Sequence, residues 1–229
     1  MMLPLLRTEV RLLLRGGFAA AYVVVAATYL GILHALPEPL GEGLLPVLVF
    51  SDPAVLGLMI VGALVLLERR EGVLRALSHT PTSHRAWIAA KVLGLTGLSV
   101  VVALGVAWGS GHPVHPGLLL LAVVPTSVLS VLVGIVVVSR VRTFNGFLAL
   151  VAVATAPLGL PAMELLLGAE WPWLRFTPTG PTAELLRASL GAPLSPAALA
   201  RDVVVLAVSC LAAAAWANAW TARYLWRSS

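Results

Sequence analysis

Charged residues and cysteine are scarce in this sequence. Asp, Glu, Lys and Arg make up 11% of the 229 residues, against roughly 25% in a typical soluble domain. Hydrophobic residues make up 59%, and the mean hydropathy is +0.97. A soluble core of this size cannot bury so much apolar surface, so a soluble enzyme, a nucleic-acid-binding protein and a disordered chain are excluded. Cys210 is the only cysteine, so cysteine usage indicates no redox compartment.

The sequence also lacks the short motifs of nucleotide and metal chemistry. No GxxxxGKS or GxxxxGKT loop is present, and the only lysine, Lys91, has no such glycine frame around it. HExxH, CxxC and GxSxG patterns are absent as well. His112 and His115 are the closest histidine pair, but they lie in a Pro-Gly segment that is more typical of a solvated loop. We therefore expect no catalytic residue, metal ion or cofactor in this chain.

Six stretches are long and apolar enough to cross a membrane, which requires about 20 mostly apolar residues. We predict an all-α membrane protein with one six-span domain over residues 16–229. A basic amphipathic helix over residues 1–15 precedes it and lies at the membrane interface, because Arg7, Arg11 and Arg15 recur every four residues beside leucines. We expect no cleaved signal peptide. The predicted spans are at about 16–36, 46–67, 87–108, 118–139, 145–167 and 202–221.

Basic residues fall mostly on one side of the predicted membrane. The N-terminal segment, the connections after spans two and four, and the C-terminal end carry twelve of the fifteen Lys and Arg residues. The positive-inside rule makes that side cytoplasmic, with both termini there, so the positive charge requires no nucleic-acid partner. The long connection before span six then lies outside, and its residues 182–190 predict a short amphipathic or re-entrant helix.

Acidic residues in or at the ends of spans are costly and usually functional. Asp52, Glu164 and Asp202 are the candidates. We expect Asp52 and Asp202 to cap helices, with a substrate-facing role as the alternative for Asp52. Glu164 follows Pro157 and Pro161, which remove backbone hydrogen bonds and predict a kink. Such an acid indicates either a gate for cationic or amphipathic cargo or a snorkelling surface acid.

The most distinctive segment is ERREGVLRALSHTPTSHRAWIAAKVLG, residues 68–94. It contains the pattern E-G-x-L-x-x-L-x-x-T-P after span two and a lysine at the start of span three. Residues 68–77 predict an amphipathic cytoplasmic helix with Val73, Leu74 and Leu77 towards the bilayer. Its charged face is free to meet a cytosolic partner and carries Glu68, Glu71 and Arg75. Thr80 and Pro81 end the helix.

This segment resembles the signature of the second type of ABC exporter permease, a six-span subunit that dimerises over two cytosolic ATPases. Within that type, the chain is most similar to the small fluoroquinolone or drug-export permeases, whose outer loop carries a TP-rich stretch like FTPTGPTAELL. The resemblance covers the whole chain in topology and residues 68–94 in motif. The matching motif residues are Glu68, Glu71, Gly72, Leu74, Leu77, Thr80, Pro81 and Lys91.

The resemblance implies a homodimeric permease in a bacterial or archaeal cell membrane, paired with two copies of an ABC ATPase that binds ATP and Mg²⁺. It implies export of a drug-like, amphipathic or lipid-like substrate, and hence multidrug efflux and antibiotic resistance. The residues it implies for coupling to the ATPase are Glu68, Glu71, Gly72, Arg75, Thr80 and Pro81. A central cavity between spans one, two and five is predicted to involve Phe50, Asp52, Met59, Pro157, Met163 and Glu164.

Two alternatives remain open at this stage. The haem-export permeases of cytochrome c maturation have a similar length and span count, and His112 and His115 would then be candidate haem ligands. The second alternative is a membrane assembly or regulatory protein without a transport cycle. The sequence also leaves open the identity of the substrate and the choice between a homodimer and a heterodimer.

Overall fold

The computed structural model of the protein describes residues 2–78, 80, 82–141, 143–168 and 171–224. All regular structure within these residues is helical, which confirms the predicted all-α class. Six helical stretches have the length and composition of membrane spans, and their ends differ from the predicted ones by a few residues. They are Phe18–Ala35, Gly43–Arg70, His84–Gly109, Pro116–Ser139, Phe144–Leu167 and Pro196–Tyr224.

The helices are numbered in chain order. Span two combines α3, a π-turn over Asp52–Leu56 and α4, and a 3-10 turn over Pro172–Phe176 precedes α9. The bounds are α1 Met2–Arg15, α2 Phe18–Ala35, α3 Glu38–Ser51, α4 Gly57–Arg70, α5 Val73–Ser78, α6 His84–Gly109, α7 Pro116–Ser139, α8 Phe144–Leu167, α9 Gly180–Ser189 and α10 Pro196–Tyr224.

Helix α7 lies at the centre of the bundle. It packs against α4, α6, α9 and α10, and most of its residues are buried. Gly134 allows α7 to cross α4 closely, because a Cβ at this position would lie only 2.4 Å from Val61 Cγ1 of α4. In contrast, most of the apolar side chains of α2, α8 and α10 are exposed or half-buried. Those three helices therefore carry the surface that faces lipid or another protein.

Helices α1 and α5 lie at the end of the bundle that carries Arg69, Arg70 and Arg140, which we call the basic end. Helix α1 packs against α2 and α6. It buries Glu9 and Leu13 and exposes its three arginines, so its predicted amphipathic character is confirmed.

The single helix predicted over residues 68–77 is broken into two. Helix α4 continues to Arg70, Glu71 and Gly72 form a turn, and α5 begins at Val73. Gly72 has φ 72°, a left-handed conformation that favours glycine and ends a helix. Leu74 is buried and Val73 and Leu77 are half-buried, so these three apolar side chains share one side of α5 as predicted. Leu74 and Leu77 pack against the hydrophobic core, and the orientation of this side towards the bilayer stays a prediction.

Helix α9 is the short amphipathic helix predicted before span six. It is buried against α7, α8 and α10 except at Glu184 and Arg187, which are half-buried. A buried pair of hydroxyls, Thr126 Oγ1 and Thr182 Oγ1, joins it to α7 at 2.6 Å. Helix α9 is thus part of the packed bundle, at the end opposite the basic end.

Both predicted acidic caps are wrong. Helix α10 begins at Pro196, and Ser195 Oγ accepts from the Ala198 N–H at 3.2 Å, so Ser195 is the cap and Asp202 lies inside the helix. Asp52 lies within the helical run from Glu38 to Arg70 rather than at its start. In both cases the helix extends beyond the apolar stretch from which its start was predicted.

Candidate functional site

A cluster of buried charges joins three helices at the basic end. Lys91 Nζ on α6 lies 2.7 Å from Glu68 Oε1 on α4, and 3.1 and 3.2 Å from the two carboxylate oxygens of Glu9 on α1. Trp87 Nε1 donates to the second oxygen of Glu68 at 3.2 Å. We call these four residues the Lys91 cluster. The Lys91 side chain has no solvent exposure, and both carboxylates are buried.

Local helix geometry positions the members of this cluster. Trp87 and Lys91 are four residues apart on α6 and therefore share a face, and the ammonium lies 5.2 Å from the indole ring centre. One turn further along, a Cβ on Gly94 would lie 3.1 Å from Glu9 Cγ. The glycine allows α1 to approach α6 closely enough for Glu9 to reach the ammonium.

The ion pairs connect α1 to the basic ends of spans two and three. A buried ion pair adds little net stability, but removing one partner leaves an uncompensated buried charge, which costs about 3–5 kcal/mol. The three helices are therefore held in one arrangement near the α4–α5 turn. The lone lysine in an apolar span was the signal available in the sequence, because such a cation needs a counter-ion.

Arg69 makes a second connection at the same end. Its Nη1 donates to the Val141 carbonyl at 2.5 Å, and its Nη2 donates to the Ser139 carbonyl at 3.3 Å. These carbonyls lie at and just beyond the end of α7, where helix geometry leaves acceptors without partners. The basic end of α4 is thus bound to the α7–α8 connection as well as to α1 and α6.

The structure separates the predicted coupling residues. Glu68 is buried and paired with Lys91, so the expectation that it faces a cytosolic partner is wrong. Glu71 and Gly72 are exposed in the turn before α5. Thr80, which follows α5, is also exposed, and its hydroxyl donates to the Leu77 carbonyl at 2.7 Å. Two further predicted coupling positions, the Arg75 side chain and Pro81, lie outside the described residues.

The six predicted pathway residues do not share one surface within the chain. Phe50 and Asp52 are buried, and Met59 is half-buried. In contrast, Pro157 and Met163 are exposed on α8, which continues as a helix across both of its prolines.

Glu164, the sixth predicted pathway residue, is buried and paired with α9. Arg187 Nη1 lies 3.2 Å from its Oε1, and Arg187 Nη2 donates to its backbone carbonyl at 3.1 Å. The alternative of a snorkelling surface acid is therefore wrong.

A second charge network surrounds α9. Glu184 pairs with Arg175, from the 3-10 turn, at 2.7 Å and also with Arg201 of α10. Arg201 in turn lies 2.8 Å from Asp202 Oδ1. Together with the Glu164–Arg187 pair, these contacts tie α8, α9 and α10 to one another at the end opposite the Lys91 cluster.

The histidine pair shows no sign of metal ligation in the described part of the chain. No group of three or more His, Cys, Asp or Glu side chains there is arranged to hold a metal ion. The His115 backbone N–H donates to the Ser189 carbonyl at 2.8 Å and so connects this loop to α9.

One family model covers nearly the whole sequence. It is described as the Fluoroquinolones export permease protein family and matches residues 1–228. The chain belongs to this family. Membership and the six apolar helices indicate a multi-pass membrane protein. The family match confirms the resemblance to the fluoroquinolone-export permeases that the sequence showed.

Two curated relatives of this permease come from two strains of Mycobacterium tuberculosis. Each is named as a fluoroquinolones export permease protein and is 32% identical to the chain over 136 residues. The matched region covers 58% of this chain and 56% of each relative. The chain therefore matches a little over half the length of these relatives.

Proposed function

We propose that this permease is the membrane part of an ATP-driven exporter, in which two copies pair with two copies of a cytosolic ABC ATPase. The observation that carries the proposal is the family match over residues 1–228. The sequence has no phosphate-binding loop of its own, so the ATPase binds ATP and Mg²⁺ and supplies the energy.

The basic end faces the cytoplasm in this proposal. The positive-inside rule supports that orientation, because Arg69, Arg70, Arg140 and Arg223 lie at that end of spans two, four and six. Both termini and α5 are then cytoplasmic, and α9 is close to the outer surface. The permease lies in a bacterial or archaeal cell membrane.

The ATPase contacts α5 and the exposed turn of Glu71 and Gly72. This turn directly follows α4, whose last residues are held by the Lys91 cluster and by Arg69. A displacement of α5 is therefore passed to α4, α6 and α1 together, because their mutual contacts are buried ion pairs rather than flexible loops. The coupling role of Glu68 is then an internal one: it positions α4 through Lys91.

The cargo is a drug-like or amphipathic molecule, with fluoroquinolones supported by the names of the relatives. Exposed Pro157 and Met163 on α8 are covered by the second permease copy in this proposal and line a central pathway with residues of span two. The buried position of Phe50 and Asp52 means that span two must move before cargo can reach them.

Reconstitution tests the proposal directly. The permease is co-expressed with candidate ABC ATPases, the complex is purified, and uptake of a fluorescent fluoroquinolone into inverted vesicles is measured with and without ATP. We expect a complex of two plus two, ATP-dependent uptake, and no ATP hydrolysis by the permease alone. Uptake by the permease alone without ATP would contradict the assignment, as would recovery of haem with the purified protein in place of drug transport.

A further inference from the structure

Asp52 is a buried acid without a cationic partner. It is 1% exposed, and neither of its carboxylate oxygens has a hydrogen-bond partner among the described residues. The other buried acids of the described chain are each paired with a basic residue. Glu9 and Glu68 are paired with Lys91, Glu164 with Arg187, and Asp202 with Arg201.

The carboxyl of Asp52 lies within the helical run of span two, at the first residue of the π-turn. Nine residues separate it from Gly43, where the apolar span begins, which places it about 14 Å further along the helix axis at 1.5 Å per residue. A π-turn inside an α-helix is uncommon and frequently marks a functional site. The position is thus sealed by protein and lies inside the span rather than at its end.

Neutral hydroxyl groups surround this carboxyl. Tyr22 and Tyr29 of α2 lie near it, and so does the Ser99 hydroxyl of α6, which is close enough for a weak hydrogen bond although neither carboxylate oxygen has a partner within 3.5 Å. Tyr22 Oη lies 3.5 Å from Ser99 Oγ, and Tyr29 Oη lies 2.8 Å from Ser51 Oγ. None of these groups carries a positive charge, so none compensates an ionised carboxylate.

The helices packed against the π-turn bring no cation to Asp52. Among the described residues these are its continuations α3 and α4, its neighbours α6, α7 and α8, and α2, which carries Tyr22 and Tyr29. The third ionisable residue of α2, His34, is exposed near the end of that helix, where its Nδ1 lies 2.8 Å from the Leu30 carbonyl. Helix α7 contains no ionisable residue, α3 has only two acids in its first five residues, and Glu164 of α8 is paired with Arg187. The ionisable residues of α4 and α6 all lie at the basic end, and they are Glu68, Arg69, Arg70, His84, Arg85 and Lys91.

An isolated carboxylate in an apolar interior is strongly disfavoured unless a positive charge neutralises it. A proton needs no cavity to meet that requirement, which agrees with the 1% exposure of Asp52. An ammonium group meets it as well once span two moves. Both occupants supply the same chemistry, a single positive charge.

We propose that Asp52 is a binding site for one positive charge, which is a proton in the conformation described here and the cationic group of a cargo molecule during transport. The second half rests on the proposed function. When an organic cation binds, the carboxylic acid O–H bond breaks, the proton passes to solvent and the carboxylate pairs with the cation. One proton is released for each cation bound, and no other bond changes.

Labelling with N,N′-dicyclohexylcarbodiimide tests the proton half on the unmodified permease in detergent. The O–H group of a protonated carboxylic acid in apolar surroundings adds across one C=N bond of this reagent. We expect mass spectrometry to show Asp52 labelled about tenfold faster than Glu9, Glu68, Glu164 and Asp202, because a basic side chain occupies the carboxylate in each of those four ion pairs. Labelling of Asp52 should decline as the pH is raised. The reagent reaches a carboxyl that is only 1% exposed by the same movement of span two that admits cargo. Absence of preferential labelling at Asp52 would therefore overturn the proposal.

Binding of tetraphenylphosphonium tests the exchange half, since this permanent cation neither donates nor accepts a proton. In weakly buffered solution we expect about one proton released per cation bound by the wild-type chain and none by Asp52→Asn, because only the acid can give up a proton. Neutral triphenylphosphine oxide is the matched control and should release none from either chain. Binding of the cation without proton release from the wild type would overturn the exchange.

Neither measurement uses the ATPase or ATP, so their outcome is separate from that of the export assay. If Asp52→Asn does not fold, protection provides the second readout: tetraphenylphosphonium should slow carbodiimide labelling of Asp52 in the wild type, and triphenylphosphine oxide should not. Labelling that is unaffected by the cation would overturn the exchange. A failed export assay with positive labelling and proton release would reject the proposed function and leave the site in place.

Discussion

At Lys91 a single ammonium group balances two carboxylates that come from two other helices. The ammonium and the two carboxylates together carry a formal net charge of −1, and the lysine side chain has no solvent exposure. The arrangement is sensitive to truncation because each partner depends on the others for compensation. Residue-scale substitutions should therefore have unequal effects at the basic end, according to burial rather than charge alone.

Lys91→Met should destabilise the permease by about 3–5 kcal/mol, because it leaves two buried carboxylates without a cation. The measurement is reversible unfolding in detergent or bicelles. Arg70→Met is the matched control, since Arg70 is an exposed cation close by in the same structure, and it should change stability by less than about 0.5 kcal/mol. Adding Glu9→Gln and Glu68→Gln to Lys91→Met should recover most of the loss. Equal effects of the lysine and arginine substitutions would contradict the cluster.

A glycine at the start of α9 provides a second test at the residue scale. A Cβ on Gly180 would lie 1.6 Å from the Leu174 carbonyl oxygen, so Gly180→Ala forces the 3-10 turn away from α9. We expect a loss of about 1–3 kcal/mol, as for other overpacked sites, measured by the same unfolding assay. Gly97→Ala, at an exposed position with open space around it, should be neutral or slightly stabilising because alanine favours helix.

At the scale of elements, the α4–α5 turn is where the permease meets its proposed ATPase. Glu71→Ala should weaken ATPase recruitment by about thirtyfold, since truncating one partner of a partly desolvated charge pair costs about 2 kcal/mol. Membrane insertion should be unchanged, because Glu71 is exposed and follows the end of α4. Co-purification of the ATPase measures the effect. His112→Ala and His115→Ala are the controls and should leave recruitment intact.

Gly72 separates two reasons for a glycine in this turn. Its φ of 72° disfavours most side chains, and no atom lies within 4 Å of a Cβ placed there. Asparagine tolerates this conformation better than leucine does, so Gly72→Asn should preserve the turn and Gly72→Leu should distort it. If Gly72→Asn folds normally but fails to recruit the ATPase, close backbone approach to the partner is the reason for the glycine. Normal recruitment by Gly72→Asn would assign the glycine to turn geometry alone.

At the scale of the whole molecule, the proposed orientation makes a labelling prediction. In a Cys210→Ser background, Phe176→Cys in the exposed 3-10 turn should react with a membrane-impermeant maleimide from outside intact cells. Glu71→Cys should react only after the membrane is permeabilised, because the basic end faces the cytoplasm. Labelling of both positions from the same side would contradict the six-span topology, and the reverse pattern would invert the orientation.

The number and type of the spans follow from local properties of the chain. Six runs of apolar residues are each long enough to cross the hydrocarbon, and a helix satisfies its backbone hydrogen bonds within the run. Residue spacing likewise indicates the amphipathic α1 and α9 and the apolar side of α5, because helical periodicity depends only on near neighbours. These features could be predicted from the sequence, and the structure agrees with them.

The positions of the charges depended on tertiary structure. Lys91 is 82 residues from Glu9 and 23 from Glu68, and no local pattern indicates which acids approach a cation across that separation. For the same reason the sequence indicates neither the Glu164–Arg187 pair nor the burial of Glu68.

The sequence by itself determined an all-helical chain with six spans and an amphipathic segment after span two, since hydropathy and helical periodicity are local. Only the packing of α1, α4 and α6 decided that Glu68 and Lys91 are an internal pair. Only the packing around the π-turn decided that Asp52 has no cationic partner, because burial and charge compensation arise where distant segments meet.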